Sequence, residues 1–103
     1  MIGMEKQMTK DEKKQRIAEI FTKCYKSRTH EGLPISFIKL CVELNAPLLN
    51  AGFPEQFSSQ KAWYWKKGMS IPLPTPFMLL KQATEATDWR HQLSAEVLEV
   101  LGK

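Results

Sequence analysis

Residues 57–68 read FSSQKAWYWKKG and contain the signals for the start and the end of a short helix. Ser58 and Ser59 are both candidate N-caps, and Gly68 is a candidate C-cap. The stretch therefore predicts a helix through Lys67. Successive side chains on a helix point in directions roughly 100° apart, so the three consecutive aromatic residues 63–65 cannot all face one side.

The spacing within this helix separates an inner face from an outer one. Ala62 and Trp65 are three residues apart and share a face. One tryptophan can therefore point inward while Gln60, Lys61 and Tyr64 stay outside. Exposed aromatic side chains on a basic helix indicate a partner that covers them. The alternative is that all three aromatic residues fill a large core or a dimer contact.

The segment before this helix predicts two more helices. Thr9 and Glu12 form a capping-box signature, and the apolar spacing predicts a basic amphipathic helix over residues 10–26. Its apolar positions are Ile17, Ile20, Phe21 and Cys24. Pro34 suits the first turn of a helix over residues 34–45. The apolar stripe of that helix would be Ile35, Ile38, Cys41 and Val42, widened by Phe37 and Leu44.

The remaining segments complete a helical chain. Asn45-Ala46-Pro47 interrupts the pattern, residues 48–51 could form one further turn, and Gly52-Phe53-Pro54 is a strong break. Thr75-Pro76 predicts a helix over about 76–87, and Leu93-Ser94 begins a last one. No segment shows a convincing strand alternation. The sequence predicts a compact all-α domain of five or six helices.

Length and composition favour one folded domain, or a domain with an arm. The chain has 103 residues, of which 43% are hydrophobic and 25% charged, as in ordinary globular proteins. No apolar run reaches the ~18 residues of a membrane span, and residues 1–4 lead into charge rather than into a signal peptide. We expect a soluble, cytoplasmic protein.

The charge is uneven along the chain. Of the formal net charge of +4, residues 1–29 contribute eight basic and four acidic side chains, and a second basic cluster comprises Lys61, Lys66 and Lys67. This distribution is compatible with a polyanionic partner, although charge alone does not identify a site.

Catalytic and metal-binding patterns are missing from the sequence. It contains no GxSxG, no HExxH and no glycine-rich phosphate loop, and His30 and His91 stand apart. Cys24 and Cys41 lack a CxxC spacing and are predicted to be core thiols on two helices, with a disulfide or a shared metal site as the alternative. We therefore expect neither an enzyme nor a cofactor.

The stretch 57–68 resembles the recognition helix of the Cro-like phage and prophage regulators in the lambda-repressor-like helix-turn-helix superfamily. Their pattern is an apolar residue, Ser, one or two Gln, a small residue, Trp, a basic pair and Gly. The resemblance continues through Ser70-Ile71-Pro72, residues 79–87 and residues 90–93, and covers about residues 57–101. The family's usual turn sequence, Ala-x-x-Leu-Gly-Val-Ser, is replaced by NAGFPEQF at residues 50–57. The turn is therefore longer or remodelled, or the first helix of the motif lies elsewhere.

The resemblance implies a set of DNA contacts, because a recognition helix enters the major groove by its N-terminal residues. The implied DNA-binding residues are Ser58, Ser59, Gln60, Lys61, Trp63, Tyr64, Lys66 and Lys67. Glutamine can pair with adenine and lysine with guanine, whereas Ser58 and the two C-terminal lysines would contact phosphate. Ala62 and Trp65 would face the core. Trp63 could pack on sugar, on a thymine methyl group or in an interface.

The resemblance also implies a transcriptional regulator of the repressor type that binds double-stranded operator DNA as a homodimer. Residues 31–103 would form the helix-turn-helix domain. Residues 1–30 would form an N-terminal helix that docks on it, dimerises or contacts phosphates through Lys10, Lys13, Lys14 and Arg16. The dimer seam would be the first helix or the last, with Val97, Leu98, Val100 and Leu101. The alternative function is a small protein-interaction module or inhibitor anchored by Trp63, Tyr64 and Phe53.

Overall fold

Five helices and one short hairpin make up the computed structural model, which describes residues 8–102. The elements are α1 (Lys10–Ser27), β1 (Thr29–His30), β2 (Leu33–Pro34), α2 (Phe37–Asn50), α3 (Ser59–Lys66), α4 (Thr75–Gln82) and α5 (Trp89–Leu101). The prediction of an all-α fold is confirmed. Residues 1–7, which begin the predicted N-terminal segment, and Lys103 lie outside the described residues.

Helix α1 begins and packs as its sequence predicts. Thr9 and Glu12 form a reciprocal capping box, with N–H to side-chain oxygen distances of 3.0 and 3.1 Å. Ile17, Ile20 and Phe21 are buried, and the helix packs against α3 and α5. Within residues 8–102, no helix is both long and apolar enough to cross a bilayer.

The connection from α1 to α2 is a hairpin rather than an irregular break. Strand β1 pairs antiparallel with β2, and the turn residues Glu31 and Gly32 both have positive φ, 55° and 82°, as in a type I′ turn. The Ile35 N–H then donates to the Arg28 carbonyl at 3.2 Å. The predicted helix start at Pro34 is therefore wrong, and α2 begins after Ser36, whose hydroxyl accepts from the Lys39 N–H.

Helix α2 buries only part of the predicted stripe. Ile38 and Val42 are 67% and 53% exposed, whereas Cys41 is buried. The buried face of α2 consists of Leu40, Cys41, Leu44, Asn45 and Leu48. The assignment of Ile38 and Val42 to the buried face was wrong. Helix α2 starts later and extends to Asn50, so the apolar residues 40, 44 and 48 at helical spacing fix its rotation.

Helix α2 also continues through Pro47, where the sequence predicted an interruption. A proline has no N–H for the carbonyl four residues earlier, which here belongs to Glu43. Arg90 supplies the missing donor, because its Nη1 lies 3.0 Å from that carbonyl oxygen. Asp88 holds the Arg90 guanidinium through Nε and Nη2 at 3.0 and 2.8 Å. A side chain of α5, which is remote in sequence, thus provides the hydrogen-bond donor that the Glu43 carbonyl of α2 lacks.

The Asp88 carboxylate also makes α5 start earlier than the sequence predicted. The Asp88 Oδ1 accepts from the Arg90 N–H at 2.8 Å and caps the helix, so α5 begins four residues before the predicted start at Leu93.

Helix α4 is shorter than predicted and ends at Gln82. Its last carbonyls accept from other groups, since the Thr84 hydroxyl donates to the Leu80 carbonyl at 2.7 Å and His91 Nδ1 lies 3.0 Å from the Lys81 carbonyl oxygen.

Four aromatic rings from three helices and one connection form the centre of the core. Phe21, Phe57, Trp65 and Phe77 are all buried, and their ring centroids lie 5.3–6.3 Å apart in tilted or edge-on pairs. Such geometry favours aromatic contacts. The cluster therefore fixes α3 against α1 and α4.

The connection between α2 and α3, residues 51–58, is held by one buried side chain. Asn45 is 3% exposed. Its Oδ1 accepts from the N–H groups of Gln56 and Phe57 at 3.0 and 2.9 Å, and its Nδ2 donates to the Phe57 carbonyl at 2.7 Å. This connection is longer than the 3–4-residue turn of the usual helix-turn-helix motif. Asn45 gives it a defined path into α3.

We predict that Asn45→Ala lowers the free energy of unfolding by about 3 kcal/mol, because each buried backbone group left without a partner costs about 1–3 kcal/mol. Urea unfolding measures the change. Asn50→Ala is the matched control, since Asn50 is exposed on the same helix, and it should change stability by less than about 0.5 kcal/mol. Equal losses in the two variants would contradict the role given to Asn45.

We predict that the Asp88–Arg90 contact makes stability depend on acid pH. The hydrogen bonds from Arg90 lower the pKa of Asp88 below its ordinary value. The stabilisation is therefore present above the unfolded-state pKa of about 3.9 and is lost as the pH falls through the lower folded-state pKa. Asp88→Asn should remove this part of the acid dependence in thermal unfolding. The exposed control Asp11→Asn should retain the dependence that arises from Asp88.

Candidate nucleic-acid interface

Helix α3 is anchored by its inner face. Ala62 is fully buried and Trp65 is 6% exposed, with the Trp65 ring in the aromatic cluster described above. The assignment of these two residues to the core is confirmed. Trp63 and Tyr64 are 44% and 38% exposed, so the alternative in which all three aromatic residues fill the core of this chain is wrong.

The first turn of α3 presents four of the implied DNA-binding residues together. Ser58, Ser59, Gln60 and Lys61 are all exposed. The Ser58 side-chain oxygen accepts from the Lys61 N–H at 3.1 Å and caps the helix. Its hydroxyl proton stays available for donation, because the cap uses the oxygen as an acceptor. The turn therefore offers hydroxyl, amide and ammonium groups at one helix end.

A second group forms one turn later on the same helix. The Trp63 and Tyr64 rings meet edge-on with centroids 5.4 Å apart, and the Lys67 ammonium lies 5.7 Å from the Trp63 ring centroid. These three side chains make an exposed aromatic and cationic cluster beside the first turn. Aromatic faces with a nearby cation can pack on bases, sugars or protein surfaces.

Lys66 lies apart from the other implied residues. It is half-buried, and its ammonium is 5.2 Å from the ring centroid of Tyr25 on α1. The Lys66 side chain therefore faces α1, whereas Lys67 extends over Trp63. The ammonium groups of these two adjacent lysines thus lie over different aromatic rings.

The end of α3 is fixed close to α1. Gly68 has φ +72°, and the Met69 N–H donates to the Tyr64 carbonyl at 2.9 Å while the Gly68 N–H donates to the Trp65 carbonyl at 3.1 Å. This pattern is the Schellman motif. A Cβ built on Gly68 would lie 3.7 Å from the Ala18 Cβ, so the turn packs directly on α1.

The closeness of α3 to α1 brings in cations that the sequence analysis did not assign to the site. Lys23 and Lys26 of α1 line one groove with Lys66 of α3 and its C-cap residue Lys67. Their spacing of three residues places Lys23 and Lys26 on one helix face, which was visible in the sequence. The position of that face beside α3 was not, because it follows from tertiary packing.

Other reactive side chains lie outside this surface. Cys24 and Cys41 are unpaired thiols on α1 and α2, and the prediction of thiols on two helices is confirmed. Cys41 is buried in the core, whereas Cys24 is half-buried against it. Burial raises the pKa of each thiol to about 11, so both stay protonated near neutral pH. Within the described part of the chain, no group of three or more His, Cys, Asp or Glu side chains is arranged to hold a metal ion.

Comparison of the chain with family models, curated proteins and solved structures finds no match.

Proposed function

We propose that the chain is a sequence-specific DNA-binding transcriptional regulator that uses α3 as a recognition helix. In this proposal, a Cro-like repressor acts in the cytoplasm without a catalytic step or a cofactor, and α2 and α3 form a helix-turn-helix with an extended turn. The observation that carries it is the division of α3 into two faces. Ala62 and Trp65 anchor the helix, while its polar and cationic first turn is exposed.

The chemistry of the exposed turn suits base recognition in the major groove. The groove is about 12 Å wide and admits a helix. A Gln60 amide matches the donor and acceptor pair of adenine, and the Lys61 ammonium can donate to guanine O6 and N7. Helix α3 contains two lysines and no acidic residue, and a third lysine, Lys67, follows as its C-cap, so its own charges do not oppose the approach of phosphate.

The remaining implied residues would position the helix. Ser58 can donate its hydroxyl proton to a phosphate, and Lys67 is exposed at the other end of α3. Contacts of this kind fix register without reading sequence. Trp63 and Tyr64 would pack against sugar or a thymine methyl group. This contact would remove their exposed apolar area from water, which is favourable.

Homodimer formation is part of the proposal, since two copies would read two half-sites. Val97 and Leu98 are buried in the chain's own core, so these two residues of α5 are not free to form the seam. Sedimentation equilibrium tests the assembly: a homodimer has twice the 11.9 kDa mass of the chain. A complex that contains only one chain per palindromic duplex would contradict the dimer.

Selection of bound sequences from random duplex DNA tests the function. The purified chain should retain a subset with a shared, pseudo-palindromic motif. Retention without any enriched motif would contradict sequence-specific binding while leaving general DNA binding in place.

We predict that Gln60→Ala and Lys61→Ala each weaken binding to the selected duplex by about 1–3 kcal/mol, because each would remove one base contact. Gln82→Ala is the matched control, since Gln82 is exposed on α4, and it should bind as the unmodified chain does. Fluorescence anisotropy on matched and base-substituted duplexes gives the values. An unchanged base preference in the Gln60 variant would contradict its assignment.

A protein-interaction module is the second candidate function, and the exposed edge-on pair of Trp63 and Tyr64 favours it. Its third proposed anchor, Phe53, is half-buried against the core. The salt dependence of binding distinguishes the two functions. DNA binding weakens steeply as salt rises, whereas a contact centred on apolar aromatic anchors should change little.

A further inference from the structure

The groove between α1 and the end of α3 is a basic surface separate from the exposed first turn of α3. It has a volume of about 840 Å³ and is lined by Lys23, Lys26, Lys66 and Lys67. Lys23, Lys26 and Lys67 are exposed, and Lys66 is half-buried. The groove therefore combines two cations of α1 with two at the C-terminal end of α3.

The charge of this groove is not cancelled by its own acidic groups. Among its lining residues, all within the described part of the chain, Glu19 is the only acidic one. The Glu19 carboxylate lies 3.3 Å from the Arg16 guanidinium, which offsets its charge. A net positive field therefore faces outward from the groove, and this field favours a polyanion over a neutral or cationic partner.

Packing fixes the relative position of the two helix segments that carry the four lysines. The Schellman turn at Gly68 sits on Ala18, and the Lys66 ammonium rests over the Tyr25 ring. Both contacts join the end of α3 to α1. The cations of α1 are thereby held at a set distance from the recognition surface.

We infer that this groove holds the sugar–phosphate backbone of the same duplex whose bases contact α3, which makes α1 a phosphate clamp. The inference rests on the proposed function. An eight-residue helix is about 12 Å long, comparable to the width of the major groove. A helix that enters by its first turn therefore reaches the groove edge at Lys66 and Lys67, where the phosphates lie, and Lys23 and Lys26 extend that contact.

The test compares the salt dependence of duplex binding for the unmodified chain and for Lys23→Ala/Lys26→Ala. Each phosphate contact contributes about 0.9 to the slope of log K against log salt, so the double variant should lower the slope by about 1.8. Between about 50 and 200 mM salt, its affinity should fall about twelvefold less than that of the unmodified chain. Its base preference should not change.

Two control variants separate the groove from general charge. Lys39→Ala/Lys81→Ala removes the same net charge from exposed positions outside the groove and should change the slope far less. Lys23→Arg/Lys26→Arg keeps the charges and should keep the slope. Alanine and arginine both favour helix, so α1 is retained, and circular dichroism checks this.

The outcomes distinguish the clamp from the proposed function. If the unmodified chain binds duplex DNA and Lys23→Ala/Lys26→Ala keeps its slope, the clamp is wrong and the function stands. An equal loss of slope in Lys39→Ala/Lys81→Ala also overturns the clamp, because net charge would then explain the effect. If the unmodified chain does not bind duplex DNA even at low salt, both are wrong.

Discussion

The buried side chain of Asn45 forms hydrogen bonds with three backbone groups of residues 56 and 57. A buried amide of this kind is stable only when its donors and acceptors are paired, so the connection can follow few other paths. Phe57 enters the aromatic cluster at the end of that path, and Ser58 caps α3 directly after it. The placement and the starting point of α3 both depend on this one side chain.

The other helices support α3 from its inner side and its C-terminal end. The Trp65 ring packs against Phe21 and Phe77, while Gly68 meets α1 at the Schellman turn. Farther away, Arg90 donates a hydrogen bond to the Glu43 carbonyl of α2, which has no backbone partner because Pro47 lacks an N–H. These contacts leave α3 with a rigid inner face, and such support is what a binding site on a short helix requires.

Local signals in the sequence predicted much of this arrangement. The capping box at Thr9, the cap at Ser58 and the inward Trp65 are all present, because each depends on residues within one or two helical turns. The start and rotation of α2, its passage through Pro47 and the start of α5 were predicted wrongly. Those features depend on contacts remote in sequence, such as that of Arg90 with α2, and the placement of Lys23 beside α3 has the same origin.

Titration of the ¹⁵N-labelled chain with duplex DNA at low salt tests most directly that α3 is the binding element. The account predicts progressive changes in the amide resonances of residues 58–61 and in the Trp63 indole resonance. The side-chain amide of Asn45 should keep its position, because the connection is already formed. Binding that leaves residues 58–61 unchanged and shifts only resonances elsewhere would contradict the account.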